Sequence, residues 1–158
     1  MCVQTNQLDR LTPVGLRKRC NPAMLLLDTN ICIAALKGER CVLAKLVQNV
    51  GRIYLGMLVV AELQFGIEKL AFAHGNHAQK RRANLQHFID TTDGIVELSS
   101  NVIPIYARIR ADLEALGTPI GPHDLWIAAQ AIYEGATLVS ANTREFERIP
   151  RLRLQNWL

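Results

Sequence analysis

The most constraining feature of this sequence is a short apolar run, Met24 to Leu27, that ends abruptly at Asp28. A strand with one exposed face alternates apolar and polar residues, whereas an unbroken apolar run indicates a strand that is covered on both faces. Such strands belong to parallel sheets that lie between layers of helices. The run therefore predicts an internal strand of a parallel sheet, with Asp28 at its carboxyl end.

Strand-like and helix-like segments alternate along the remainder of the chain. Further strands are predicted at residues 53–57, 95–98, 137–140 and 152–154. We expect Thr29 or Asn30 to cap the first helix, Asp124 to begin a later one, and the longest helix to span residues 102–116. The alternation predicts the α/β class, in the form of a three-layer α/β/α sandwich around a central, mainly parallel sheet.

The length and composition fit one compact domain. At 158 residues the chain can bury one hydrophobic core, and its 49% hydrophobic and 20% charged residues are typical of a globular protein. No apolar run approaches the roughly 20 residues of a membrane-spanning helix. The four cysteines show neither C-x-x-C spacing nor an accompanying secretory signal, so we expect a reducing, cytoplasmic environment rather than disulfides or a zinc site.

Residues 1–23 differ from the rest of the chain. They carry four basic side chains against one acidic side chain, lack apolar periodicity, and contain Thr12-Pro13 and Asn21-Pro22, which disfavour a continuous helix. We interpret residues 1–23 as a disordered leader and residues 24–158 as the folded domain, with a natural start at Met24 as a further hypothesis. Because much of the net charge of +4 falls in the leader, overall basicity says little about a nucleic-acid partner.

Four polar residues that are distant in sequence occupy the ends of the predicted elements. Asp28 follows the first strand, and Glu62 lies in the first turns of the helix after the second strand. Asp124 begins a later helix, and Asn142 follows the strand at 137–140. In parallel α/β sheets, ligands bind beyond the carboxyl ends of the strands, which share one edge. We therefore expect these four side chains to meet at that edge.

A group of carboxylates at one place has a defined chemistry. Without a positive partner the arrangement is unfavourable, because like charges at close range force one group to take up a proton. A divalent cation removes this penalty, and oxygen ligands without a His or Cys cluster favour Mg²⁺, with Mn²⁺ as a substitute. Such an ion can neutralise a phosphodiester and generate a nucleophile from bound water. The carboxylates therefore predict metal-dependent phosphodiester hydrolysis.

Each of these residues also has a purely structural interpretation. Asp28 can be a turn residue, Asp124 a helix N-cap and Asn142 the cap of the following segment. Glu62 alone would most often be a solvated helix residue. His123, beside Asp124, can act as an acid or orient RNA, although an isolated loop histidine more often does neither. The functional interpretation depends on the convergence of these positions at one edge of the sheet.

Four segments carry a resemblance to a known family. They are Leu26–Asn30, Val60–Leu63 with Gly66, Gly121–Asp124 with Ile127-Ala128, and Leu138–Phe146. In this order they resemble the four motifs of PIN-domain toxins of the VapC family, and the resemblance covers about residues 24–158. It implies a PIN-like sandwich and a magnesium-dependent endoribonuclease of a type II toxin–antitoxin system, with many relatives acting on tRNA. It also implies a VapB-like antitoxin that covers the site and, by analogy, a homodimer.

The resemblance assigns roles to individual side chains. Asp28 and Asp124 match the principal metal ligands of the family, and Glu62 matches its second-motif acid. Asn142 stands where many relatives carry Asp and has no negative charge, which leaves open whether one ion or two are bound. Glu145 is a candidate for the missing carboxylate, or it pairs with a neighbouring arginine on the surface.

The RNA-binding surface is harder to predict than the metal site. Basic side chains can contact phosphates if several of them share the carboxyl edge of the sheet. The candidates are Lys80, Arg81, Arg82, Arg108, Arg110, Arg144, Arg148, Arg151 and Arg153. The sequence shows no aromatic-rich stacking motif that would indicate how bases are selected.

Two alternative functions remain open from the sequence. A receiver-like regulatory domain also holds Mg²⁺ in an acidic pocket, but it typically has paired acids after its first strand and a late lysine. Here Asp28 stands alone, and no lysine follows Lys80. A catalytically inactive binding domain is the second alternative, and only an activity measurement separates it from the enzyme.

Overall fold

The computed structural model describes residues 24–74 and 78–158, and its centre is a five-stranded parallel sheet. The strands are β1 (Leu25–Leu27), β2 (Ile53–Gly56), β3 (Ile95–Val96), β4 (Thr137–Val139) and β5 (Arg153–Gln155). Their order across the sheet is β3-β2-β1-β4-β5. Strand β1 is the middle strand, with Leu25 aligned to Ile53 of β2 on one side and to Thr137 of β4 on the other. The predicted parallel sheet with an internal first strand is confirmed.

The strands are connected by helices throughout the described part of the chain. The α-helices are α1 (Thr29–Lys37), α2 (Arg40–Gln48), α3 (Met57–His74), α4 (Ala78–Asp90), α5 (Ile103–Ala115), α6 (Pro122–Glu134) and α7 (Thr143–Phe146). A 3₁₀ turn, Ser100–Val102, precedes α5. The segment that the apolar spacing predicts as the longest helix is thus shorter than α3.

The core explains why β1 consists of leucines alone. Leu25, Leu26 and Leu27 are at most 1% exposed. Because successive side chains of a strand point to opposite faces of the sheet, complete burial of three in a row requires helices on both faces. The fully buried Ile31 of α1 and Ala128 of α6 belong to the same hydrophobic cluster. The predicted α/β/α sandwich is therefore confirmed.

Two helix starts differ from the sequence expectation. The N-cap of α1 is Asp28, not Thr29 or Asn30, because Oδ1 of Asp28 accepts a hydrogen bond from the backbone N–H of Thr29 at 2.7 Å. Helix α6 begins at Pro122. A proline suits this first position, since its missing N–H would have no helical partner there. Asp124 consequently lies within the first turn of α6 and is not its N-cap.

A glycine at the end of β2 allows α6 to approach the sheet. A Cβ atom on Gly56 would lie 2.6 Å from Oε1 of Gln130. Gln130 is 1% exposed, and its Nε2 donates to the carbonyl oxygens of Val96 and Glu97 at 3.0 and 3.2 Å. This buried amide thus joins α6 to the end of edge strand β3, and the close contact at Gly56 leaves no room for a side chain.

The predicted disordered leader, residues 1–23, lies outside the described residues. In the segments that the structure describes, no helix combines the length and the apolar character needed to cross a membrane.

Candidate active site

The site lies between the neighbouring strands β1 and β4. The chain runs from β1 to β2 and β3 on one side of the sheet, and β4 and β5 lie on the other side of β1. Asp28 immediately follows β1, and Ser140 immediately follows β4. The Oγ of Ser140 donates a hydrogen bond to Oδ2 of Asp28 at 2.6 Å. Where the connections from two adjacent strands go to opposite sides, a crevice forms beyond the carboxyl ends of these strands. This crevice is the usual ligand site of such folds. We call this region the carboxyl edge.

Asp28 is held rigidly at the carboxyl edge. It is 4% exposed and accepts three hydrogen bonds, from the backbone N–H of Thr29 and Nδ2 of Asn30 at 2.7 Å each and from Ser140 at 2.6 Å. Burial raises the pKa of Asp28 above its usual value, and the charge of Glu62 adds to the rise, while the hydrogen bonds oppose it. The residue therefore both caps α1 and presents a carboxylate whose charge is poorly solvated.

Asn30 and Ser140 were not among the predicted site residues, although both stand within the quoted motifs. Asn30 donates from Nδ2 to Ser140 Oγ at 3.1 Å and accepts the backbone N–H of Ala141 at 3.0 Å. Ser140 is completely buried and also accepts the backbone N–H of Asn142 at 2.9 Å. These bonds fasten the loop after β4 to the end of β1. The sequence signal for this role is a serine directly after an apolar strand, because a hydroxyl that is buried there needs hydrogen-bond partners.

Asp124 projects from the first turn of α6 and is half-buried. The pKa of Asp124 is raised to about 6, chiefly by burial and then by the charges of Asp28 and Glu145. Nδ2 of Asn142 donates to Oδ2 of Asp124 at 3.0 Å and opposes this rise. Asn142 thus acts as a hydrogen-bond donor to an acid of the site.

Glu145 belongs to the same group of side chains. It lies on α7, close enough to Asp124 for a direct carboxyl–carboxyl contact that raises the pKa of Asp124. Among the ion pairs of the described residues, none joins Glu145 to Arg144 or Arg148. The geometry therefore favours the site interpretation of Glu145 over the surface ion pair.

Glu62 reaches the carboxyl edge from α3. The Thr29 hydroxyl donates to its Oε2, and Nδ1 of His123 contacts its Oε1. The side chain of Glu62 is 27% exposed and that of His123 is 65% exposed. All five predicted residues, Asp28, Glu62, Asp124, Asn142 and Glu145, are consequently found at one end of the sheet, and His123 joins them.

The donor set suits a hard divalent cation. Asp124 and Glu145 approach each other, and Asp28 and Glu62 each carry a charge that disfavours ionisation of a neighbouring aspartate. Within residues 24–74 and 78–158, no three His, Cys, Asp or Glu side chains form a ready-made cage. Mg²⁺ rarely needs one, because it commonly binds one or two carboxylates and keeps several waters. The clustered negative charge of these carboxylates fits such an ion.

Three of the candidate phosphate-binding residues are already paired with acids. Arg82 contacts Glu68 at 2.7 Å in an ion pair between α4 and α3. Arg108 and Arg110 contact the acids four residues later on α5, at 3.0 and 2.8 Å. Arg144 lies in α7, between Asn142 and Glu145 in sequence, and is exposed. Arg144 is therefore a basic side chain that adjoins two residues of the site in sequence.

Sequence comparisons place this geometry in a family. A profile of the PIN domain matches residues 25–152. The chain is 37% identical over 136 residues to Ribonuclease VapC2 of Rickettsia felis, covering 84% of this chain and 96% of the relative. It is 32% identical over 133 residues to the tRNA(fMet)-specific endonuclease VapC of Shigella flexneri, again covering 84% of this chain and 96% of the relative.

Solved structures give the same result. VapBC2 from Rickettsia felis, bound to a promoter DNA fragment, contains a chain that superposes with a TM-score of 0.78 and 35% identity, covering 85% of this chain and 99% of that chain. DNA-bound VapBC from Salmonella typhimurium gives a TM-score of 0.77 and 30% identity, with coverages of 85% and 98%. Sequence similarity and the fold thus extend over nearly the full length of these relatives. The chain belongs to the PIN-domain family and, within it, to the VapC ribonucleases.

Proposed function

We propose that this chain is the toxin of a type II toxin–antitoxin system and a metal-dependent endoribonuclease that hydrolyses RNA phosphodiester bonds. The main support for this proposal is that Asp28, Asp124 and Glu145 lie together at the carboxyl edge. There the charges of Asp28 and Glu145 raise the pKa of Asp124. The ribonuclease names of the relatives support RNA as substrate, and the tRNA(fMet)-specific endonuclease of Shigella flexneri supports tRNA. Family membership argues against the receiver-like alternative.

The proposed cofactor is Mg²⁺, with Mn²⁺ as a substitute. The resemblance to PIN-domain ribonucleases implies a divalent metal, and oxygen ligands favour these two ions. Asp28 and Asp124 are the proposed principal ligands, with Glu62 and Glu145 as further candidates. When bound, the ion would neutralise the scissile phosphate and lower the pKa of a bound water.

The remaining side chains act on these carboxylates. Ser140 and Asn30 fix the orientation of Asp28, because each donates a hydrogen bond to its Oδ2. Asn142 orients Asp124 through its amide and adds no charge. Glu145 contributes the negative charge that an aspartate at position 142 would otherwise provide. We therefore propose one firmly held ion between Asp28 and Asp124, with a second ion dependent on Glu145.

The partner of the proposed toxin is a VapB-like antitoxin. The similar structures from Rickettsia felis and Salmonella typhimurium are VapBC complexes, which supports this assignment. We expect the antitoxin to place a basic side chain among Asp28, Glu62 and Asp124, where a guanidinium would satisfy the carboxylates in place of the metal. A homodimer and a cytoplasmic site of action are further parts of the proposal and follow from family analogy and the RNA substrate.

The decisive experiment compares RNA ends after brief expression of the wild type and of Asp28→Asn. We expect discrete new 5′ ends in tRNA for the wild type and none for the variant. With purified proteins, cleavage of the same tRNA should require Mg²⁺ or Mn²⁺ and stop with a chelator. Asp28→Asn and Asp124→Asn should retain the fold by circular dichroism. Normal cleavage by either folded variant, or cleavage unaffected by chelation, would refute the proposed function.

A further inference from the structure

Glu62 differs from the other acids of the site in how it is held. Both of its carboxylate oxygens contact side chains of residues that adjoin the two principal aspartates in sequence. Thr29, which follows Asp28, donates its hydroxyl to Oε2, and His123, which precedes Asp124, contacts Oε1 through Nδ1. Glu62 is therefore linked to both aspartates through their neighbours.

The position of Glu62 on α3 makes such contacts necessary. Val59 is fully buried and Leu63 is 6% exposed, so the apolar face of α3 anchors the helix backbone. The Glu62 side chain itself is 27% exposed, and holding a long, flexible side chain in one rotamer costs conformational entropy. Without hydrogen-bond partners, a long carboxylate at this position would sample several orientations. Its two contacts restrict it to the carboxyl edge.

These contacts leave the carboxylate able to bind a cation. An ionised carboxyl group offers about four lone-pair sites on its two oxygens, so an oxygen that accepts one hydrogen bond can still ligate an ion. Hydrogen bonds to ligating side chains are a regular feature of metal sites and orient the ligands. Thr29 and His123 occupy one site on each oxygen, and the arrangement is that of a ligand held in position before the ion arrives.

His123 contacts Glu62 from an exposed position outside the protein core. Its side chain is 65% exposed, so packing does not determine the ring orientation. Because an ionised carboxylate only accepts hydrogen bonds, Nδ1 must be the donor toward Glu62. Among the described residues, Nε2 of His123 has no hydrogen-bond partner in the structure. The single Nδ1 contact therefore joins the first turn of α6 to α3 across the site.

We propose that His123 is a positioning residue that, together with Thr29, holds Glu62 for metal binding. This proposal rests on the proposed function, because it requires Glu62 to contribute to the ion site. It assigns His123 a role through Glu62, with no direct contact to the ion or to RNA.

The test measures Mn²⁺ binding to the full-length chain without RNA, by isothermal titration calorimetry and by electron paramagnetic resonance of the bound ion. We expect His123→Ala to weaken Mn²⁺ binding about 10- to 100-fold, the usual cost of losing a partner that orients a ligand. His123→Asn, whose amide can donate from a position near Nδ1, should recover most of the affinity. His87→Ala, at an exposed position of α4, is the matched control and should bind like the wild type.

A double-mutant cycle separates positioning from a general structural effect. In a Glu62→Ala background, His123→Ala should change Mn²⁺ affinity less than twofold, because the group that it positions is absent. Unchanged Mn²⁺ affinity of His123→Ala in the wild-type background would overturn the proposal, as would an effect confined to the KM for RNA. If the wild type itself neither binds Mn²⁺ nor cleaves RNA, the proposed function fails and this inference fails with it.

Discussion

The side-chain amide of Asn142 donates a hydrogen bond to Asp124 at 3.0 Å, while Glu145, three residues later, contacts the same carboxyl group. The two neighbours have opposite effects, because the amide stabilises the ionised form of Asp124 and the second carboxylate destabilises it. The loop after β4 and helix α7 thus place a neutral donor and a negative charge on one acid. A cation would relieve the remaining repulsion.

Asp124 should reduce the stability of the metal-free protein above pH 6. Its pKa is raised from 3.8 to about 6 in the folded state, so between these values the folded chain keeps a proton that the unfolded chain releases. The free energy of unfolding therefore falls as the pH rises through this window. Asp124→Asn does not titrate, and we expect it to melt roughly 2–4 °C above the wild type at pH 7 in chelator, with little difference near pH 4.

Thermal unfolding of both proteins at pH 4, 5, 6 and 7 checks this prediction. A difference in melting temperature that is constant over this range would contradict it. Saturating Mg²⁺ should reduce the advantage of the variant at pH 7, because an ion that binds only the folded wild type stabilises it.

Glu145→Gln should weaken both divalent binding and RNA cleavage, by about 10- to 100-fold. The substitution removes the carboxylate that lies against Asp124 and retains its shape. Glu147→Gln is the matched control, because Glu147 adjoins α7 but is exposed. Activity of Glu145→Gln equal to that of Glu147→Gln would show that Glu145 is not a metal ligand.

Ser140→Ala should destabilise the protein and impair cleavage together. The Ser140 hydroxyl donates to Asp28 and accepts from Asn30 and from the backbone of Asn142, and it is completely buried. Losing it leaves the buried carboxylate of Asp28 and partly buried groups of Asn30 and Asn142 without this partner, at a cost of about 1–3 kcal/mol. Ser100→Ala, at an exposed position before α5, should unfold like the wild type in urea. Equal urea midpoints for the two variants would contradict the proposed role of Ser140.

Alanine substitutions at Gly56 and Gly66 should have opposite signs. At Gly56 the new Cβ would meet Oε1 of Gln130 at 2.6 Å, and Gln130 cannot move without breaking its bonds to β3 and the following residue. We expect a loss of about 1–3 kcal/mol. At Gly66, inside α3, a Cβ meets no atom within 4 Å, and alanine should stabilise the helix by about 0.5–1 kcal/mol. Urea denaturation checks both predictions, and changes of equal sign would contradict the close contact at Gly56 and the open space at Gly66.

Much of the fold could be predicted from local sequence patterns. The unbroken apolar run before Asp28 requires a strand covered on both faces. Glycine is the residue that most readily adopts the left-handed conformation at a helix end, and Gly38 and Gly135 end α1 and α6 in this way. Helix starts were predicted less well. Asp28 caps α1, and α6 begins at Pro122, because capping depends on which side chain reaches a free backbone N–H.

The acids of the site were also predictable as a set, but their relationships were not. Periodicity assigns Asp28 and Asp124 to a strand end and a helix start, and the shared edge of parallel strands brings them together. It does not show that Glu145 turns toward Asp124 or that Asn142 donates to it, since these contacts depend on the path of the loop after β4. The choice between a surface ion pair and a site acid for Glu145 therefore required the tertiary structure.

The sequence by itself determined the parallel sandwich, the carboxyl edge and the acids that reach it, because each follows from burial patterns and from the common direction of parallel strands. Only the tertiary structure decided how those acids are held: Ser140 on Asp28, Asn142 and Glu145 on Asp124, Thr29 and His123 on Glu62. These contacts join residues from different elements, and their distances depend on how the helices and loops pack, which no local pattern encodes.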